Sequence, residues 1–146
     1  MNASHAARRD WMAVLAKADP ARLAELIPDL PVLETLRPAE VGAVMVRGRI
    51  GATGAPFNLG EMTVTRGSVR LAEGAVGHGH VQGRDKAHAL RAAAIDALMQ
   101  TDRAAQIRAA VLMPLTAEAD AARVRRAEKA AATKVDFFTM VRGEDA

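Results

Sequence analysis

Apolar residues recur at intervals of three and four from position 4 to position 18, where Ala7, Trp11, Val14, Leu15 and Ala18 are interspersed with Arg8, Arg9 and Lys17. That period lays one oily stripe along a helix. Asp19-Pro20 then offers a cap and a first-turn proline, and Leu23, Leu26, Ile27 and Leu30 trace a second stripe that Pro28 cuts short. Together the two segments predict a helical hairpin. After Pro31 the period falls to two in a stretch rich in Val, Thr and Gly. This predicts strands at 32–36, 41–50, 57–66, 68–71 and 75–81, with Pro38, the loop 51–56, Gly67 and Gly74 as breaks. Links this short pair strands antiparallel. Within 41–50, Val44 and Val46 fall on one side while Met45, Arg47 and Arg49 fall on the other, so the sheet is expected to have one wet face and one dry face covered by helices.

Asp85 is placed to cap a helix carrying Ala87, Leu90, Ala94, Ala97 and Leu98 on one face. A further helix is expected over 101–113, ended by Pro114, with Thr116 capping a last one that runs to Thr133 and has Val124 as its single bulky apolar residue. The Ala-rich composition there suits a helix, since Ala has the highest helix propensity. The expected fold is α+β: an antiparallel sheet covered by helices, with a projecting C-terminal helix and an apolar tail. Residues 1–115 form the body and 116–146 the helix and tail, all within one domain.

Composition narrows the functional classes. A chain of 146 residues is the size of one domain and buries a real core without cross-links. It has no Cys, which excludes thiolate nucleophiles, Cys-ligated zinc and iron–sulfur clusters held by this chain alone. No apolar run approaches the roughly 20 residues that span a bilayer, and the first residues lack the order of a secretion signal, so a cytoplasmic protein with no membrane partner is expected. The net charge of +3 and a pI of 9.9 favour anionic ligands or acidic partner surfaces. Between Asp120 and Lys134 five basic residues face two acidic ones, so the basicity is focused in the Ala-rich helix. Aromatic content of 3% with no Tyr argues against a base-stacking platform.

Few residues offer chemistry. His78 and His80, two apart on a strand, share a face and are conceivable metal ligands, but a third ligand is missing and His88 joins them only if the next helix folds back. Hence no metal site is expected. The segment 77–86 ends a strand and opens a helix, a setting that attracts phosphate, and makes Arg84 and Lys86 the phosphate-contact candidates. Asp85 competes for the same amides, and Gly-Lys-Ser/Thr is absent. No Ser or Thr stands beside a base oriented by a third group, so no catalytic residue is assigned. The C-terminus carries two of the three Phe residues where chains normally turn polar. Val135, Phe137, Phe138, Met140 and Val141 are therefore the partner-contact candidates, each buried Phe contributing about 1.5–3 kcal/mol.

Several segments resemble the PhnG family of the bacterial carbon–phosphorus lyase system: Arg9-Asp10-Trp11-Met12-Ala13-Val14-Leu15-Ala16, Gly60-Glu61-Met62-Thr63-Val64-Thr65-Arg66, Gly83-Arg84-Asp85-Lys86-Ala87-His88-Ala89, Ile95-Asp96-Ala97-Leu98-Met99 and the stretch 134–143. The resemblance runs in order over nearly the whole chain. It implies a core complex holding two copies each of this subunit and of PhnH, PhnI and PhnJ, with an ATP-binding-cassette-type partner. That complex displaces adenine from MgATP with a phosphonate, giving a ribose 1-phosphonate 5-triphosphate. In that scheme adenine displacement is attributed to PhnI and the iron–sulfur cluster to PhnJ, so this chain is expected to bind no cofactor alone and to support its neighbours. The competing readings are a small basic nucleic-acid or anion-binding protein, suggested by the pI, and an independent hydrolase built on His78 and His80.

Overall fold

The computed structural model describes residues 5–135. It has two compact units, Met1–Thr116 and Ala117–Ala146. The first is α+β, with a three-stranded antiparallel sheet in the order β1-β2-β3. Helices α1 (His5–Lys17) and α2 (Pro20–Leu26) precede strands β1 (Leu33–Arg49), β2 (Pro56–Leu71) and β3 (Val76–Gln82). Then come α3 (Lys86–Leu98), a short α4 (Ala104–Ile107), a π-helical turn over Arg108–Leu112, and α5 (Met113–Ala132).

Two of the three predicted caps form. Asp19 accepts a hydrogen bond from the Arg22 amide at 2.9 Å with Pro20 as the first helical residue, and Asp85 accepts from the His88 amide at 2.8 Å. Each satisfies a donor that the helix leaves orphaned at its start. The core cluster joins Trp11 and Leu15 of α1, Leu23 of α2, Leu71 and Val81 of the sheet, Ile95 and Leu98 of α3, and Val111, Leu112 and Leu115 beyond it.

Three expected breaks are absent, each for a packing reason. Strand β1 runs through Pro38, because the register slips just before it, between Thr35 and Arg37, and again across it, between Arg37 and Glu40. An irregular stretch is where a residue without an amide hydrogen is tolerated. Strand β2 runs through Gly67, which is a contact residue instead of a turn: a Cβ there would lie 3.3 Å from Leu90 Cδ2 and 3.3 Å from Ala39 Cα. Pro114 does not end a helix but sits in the first turn of α5, directly after the π turn. The wide turn relieves the clash a proline ring makes with the preceding carbonyl. Thr116 accordingly is not a cap, and its Oγ1 donates back to the Leu112 carbonyl at 2.7 Å.

The closest packing in the molecule is between β3 and α3. A Cβ on Gly77 would strike the Ala93 carbonyl oxygen and come within 2.8 Å of Ala97 Cβ, while one on Gly79 would strike the Ala89 carbonyl oxygen. Glycines on the strand meet alanines spaced four apart on the helix, so main chain lies on main chain. The second unit is the remainder of α5 and the chain after it, and nearly all its described side chains are exposed. Among the described residues no helix is long and apolar enough to cross a membrane.

Replacing Gly79 by Ala is expected to destabilise the fold by about 3 kcal/mol or more, since the new methyl meets backbone that cannot yield. Gly60→Ala, with open space around it, is expected to stay within about 0.5 kcal/mol of the parent. Urea denaturation midpoints of the two variants check the pair.

Candidate functional site

Asp96 lies in the Ala-rich run of α3 and is fully buried. It accepts hydrogen bonds from Arg8 Nη2 at 2.6 Å, Arg8 Nε at 3.1 Å, Trp11 Nε1 at 2.9 Å and the His78 backbone amide at 2.9 Å. Four donors occupy both oxygens, so the carboxylate is an internal tie and has no capacity left for a substrate. The His78 amide belongs to the free edge of β3. Beside it the Val76 carbonyl accepts from Gln100 Nε2 at 2.8 Å and Arg8 Nη2 at 3.4 Å. Helix side chains thus close this edge of the sheet.

The predicted histidines separate. His78 is exposed, with Nδ1 2.8 Å from Ser68 Oγ across the ladder. The spacing suits a nucleophile and base, but the pair lies on an open sheet face. His80 is exposed and borders an open concavity of about 440 Å³ with His5, Arg8, Arg9, Met12 and Ala13 of α1. Its lining is mostly methyl and methylene surface, and Arg8 is already engaged by Asp96. Helix α3 does fold back over β3, yet His88 is buried, its Nε2 2.9 Å from the Leu15 carbonyl. Among the described residues no three His, Asp or Glu side chains converge as metal donors.

Arg84 and Lys86 are exposed on either side of the Asp85 cap. Lys86 and Arg66 lower the pKa of Glu40 further, after the dominant hydrogen bond and charge of Arg37, whose Nη2 lies 2.8 Å from Glu40 Oε2. Arg37, by hydrogen bond, and Arg66, across the ladder, set two cations beside this carboxylate. Val135 is exposed. Phe137, Phe138, Met140 and Val141 lie outside the described residues.

The largest feature that sequence reasoning misplaced is the β1–β2 ribbon, residues 41–63. Gly77 and Gly79 press on α3, and the register pairs Gly79 with Gly67 and Val81 with Thr65. The helix-facing side of the sheet therefore continues through Val41, Ala43 and Met45. Val44, paired with Met62, and Val46, paired with Gly60, fall on the opposite side, in line with Arg66 and His80. The side holding Val44 and Val46 is the one turned away from α3, the reverse of the expected arrangement. A bulge after Val46 adds to it: Leu59 is the extra residue, and its Cδ2 stands 3.6 Å from where a Gly48 side chain would begin, with Phe57 Cε1 at 3.8 Å. Phe57 is 40% exposed, Leu59 65% and Ile50 at the tip 75%.

A small α+β domain whose one buried carboxylate among the described residues is fully engaged, and whose ribbon leaves Phe57, Leu59 and Ile50 exposed, has the features of an accessory domain. A family profile described as "Phosphonate metabolism protein PhnG" matches residues 6–143. The chain is 49% identical to "Alpha-D-ribose 1-methylphosphonate 5-triphosphate synthase subunit PhnG" of Rhizobium meliloti (strain 1021), over 99% of this chain and 94% of that one. The chain belongs to the PhnG family.

Two outcomes follow from this geometry. Arg8→Met is expected to cost about 3 kcal/mol, because it strands a buried carboxylate, and thermal melts monitored at Trp11 measure it. Glu40 is expected to titrate below the ordinary glutamate range. A carboxylate so lowered adds stability above its unfolded pKa and loses it as pH falls through the folded value. Arg37→Gln moves the titration back up, as followed by carboxyl-carbon NMR.

Proposed function

We propose that this chain is a non-catalytic, supporting subunit of a synthase that transfers a phosphonate to C1′ of the ribose of MgATP with release of adenine, in the breakdown of organic phosphonates in the cytoplasm. The observation that carries the reading is the apolar end of the β1–β2 ribbon, where Phe57 and Leu59 stand 40% and 65% exposed on the side turned away from α3. Its neighbours in this proposal are the PhnH, PhnI and PhnJ subunits, two copies of each chain, and an ATP-binding-cassette-type protein. The relative's name supports the assembly, being that of a synthase subunit.

In this role the chain supplies surface and rigidity while nucleotide, metal and cluster chemistry belong to its neighbours. The Asp96 tie and the β3–α3 contact make a stiff base, and a stiff base holds a partner's site in one geometry without touching substrate. The tail beginning at Val135, with Phe137 and Phe138, acts as an anchor in a neighbour. Arg84 and Lys86 stand as second-rank candidates to approach a triphosphate.

Reconstitution tests the reading. Core subunits assembled with this chain are expected to release adenine from MgATP and methylphosphonate, and those assembled without it to lose at least about tenfold of that rate, the scale of a displaced reacting group. Equal adenine release in the two preparations would refute the supporting role. Truncation after Lys134 is expected to lower co-purification and activity together.

A further inference from the structure

We infer that the apolar side of the β1–β2 ribbon, with Phe57 and Leu59 at its centre, is clasped by a groove in a different polypeptide whose apolar floor is fringed by carboxylates. The inference rests on the subunit reading above and goes on to name the surface and the chemistry of what it meets.

Three observations converge on a foreign partner. The first is orientation. The ribbon side holding Val44, Val46, Met62, Phe57 and Leu59 looks away from α3, as fixed by an unbroken register from Val46 to Glu40 on β1. No rearrangement of α3 covers it without turning the strand over, which would expose Val81 and Val69. The second is the bulge, which costs ladder hydrogen bonds yet turns one more leucine outward onto that side. An isolated two-stranded ribbon is marginal in water, so an outward leucine gains nothing for this chain alone.

The third is charge. Where the ribbon meets the body, Arg37 Nη2 lies 2.8 Å from Glu40, Arg66 stands opposite Glu40 in the ladder, and the exposed Lys86 adds its charge to the same neighbourhood. A partner fringe of Asp or Glu completes that set. A second copy of this chain brings a net charge of +3 of its own to the contact. Area argues likewise: the ribbon beyond the body is roughly 25 Å by 10 Å, so ribbon laid on ribbon buries about 250 Å² a side, against the roughly 800 Å² per partner of a stable interface. A groove that takes both faces and the open edge of β1 reaches that scale.

The test uses the full chain co-expressed with the other core subunits, one of which carries the tag. Phe57→Ser with Leu59→Ser is expected to weaken retention about thirtyfold, the scale of losing central anchors. The isolated variant should keep its melting temperature within about 3 °C, since both side chains are exposed. Lys86→Glu is expected to weaken retention at low salt, with the difference fading as salt rises. If the wild type is retained and the double variant is retained equally, the inference falls while the subunit reading stands. If the wild type is not retained at all, both fall. A wild-type chain that is dimeric by light scattering, and made monomeric by the double variant, overturns the foreign partner in favour of self-pairing. Lys86→Glu retained equally at every salt concentration overturns the acidic fringe.

Discussion

The contact between the main chain of β3 and the main chain of α3 is the constraint on which the rest of the structure depends. Gly77 and Gly79 have no side chains to hold the helix away, and Ala89, Ala93 and Ala97 present the smallest surface a helix can offer. At that separation Asp96 reaches the His78 amide at the open edge of the strand, and from the same position it receives Arg8 and Trp11 of α1. One close approach therefore places three elements. A carboxylate without those donors would be untenable in the interior, so the packing and the polar tie require each other.

The same contact divides the sheet into a supported part and an unsupported one. Strands β2 and β3 pair from Val64 to Arg70, where α3 lies over them, and past Thr63 the sheet is two strands wide. Side-chain alternation continues unbroken out of the supported part, so the helix-facing side of the ribbon inherits Val41, Ala43, Met45 and Arg47 while Val44, Val46, Phe57 and Leu59 emerge on the other side. A free monomer gains nothing from such an arrangement. For a member of an assembly it separates the two tasks: the base holds its own shape, and the ribbon offers its oil to a neighbour.

Much of this was legible in the residues. Asp19-Pro20 and Asp85 marked helix starts because capping is local chemistry, completed within three residues. The antiparallel meander followed from loops too short for a crossover, and the resemblance carried by the segments around Trp11, Asp96 and the C-terminus pointed to the family. Asp96 itself carried a signal that went unread: a lone carboxylate between Ile95 and Ala97 in an apolar helix has to find donors. Gly67 and Pro38 mark breaks in the sequence because their local preferences are for turns. In the folded chain Gly67 answers to Leu90 and Ala39, and Pro38 to a slipped register.

The sequence by itself determined the order of helices and strands, the caps at Asp19 and Asp85, the direction of pairing, and the fact that Val44 and Val46 share a side distinct from Arg47 and Arg49. It did not determine which of those sides the helices would occupy. Alternation distinguishes two faces of a strand but is symmetric with respect to what lies above each. Only the tertiary structure broke that symmetry, through glycines some thirty residues away in sequence that let α3 settle on one side of the sheet. The side holding Val44 and Val46 was thereby turned away from α3.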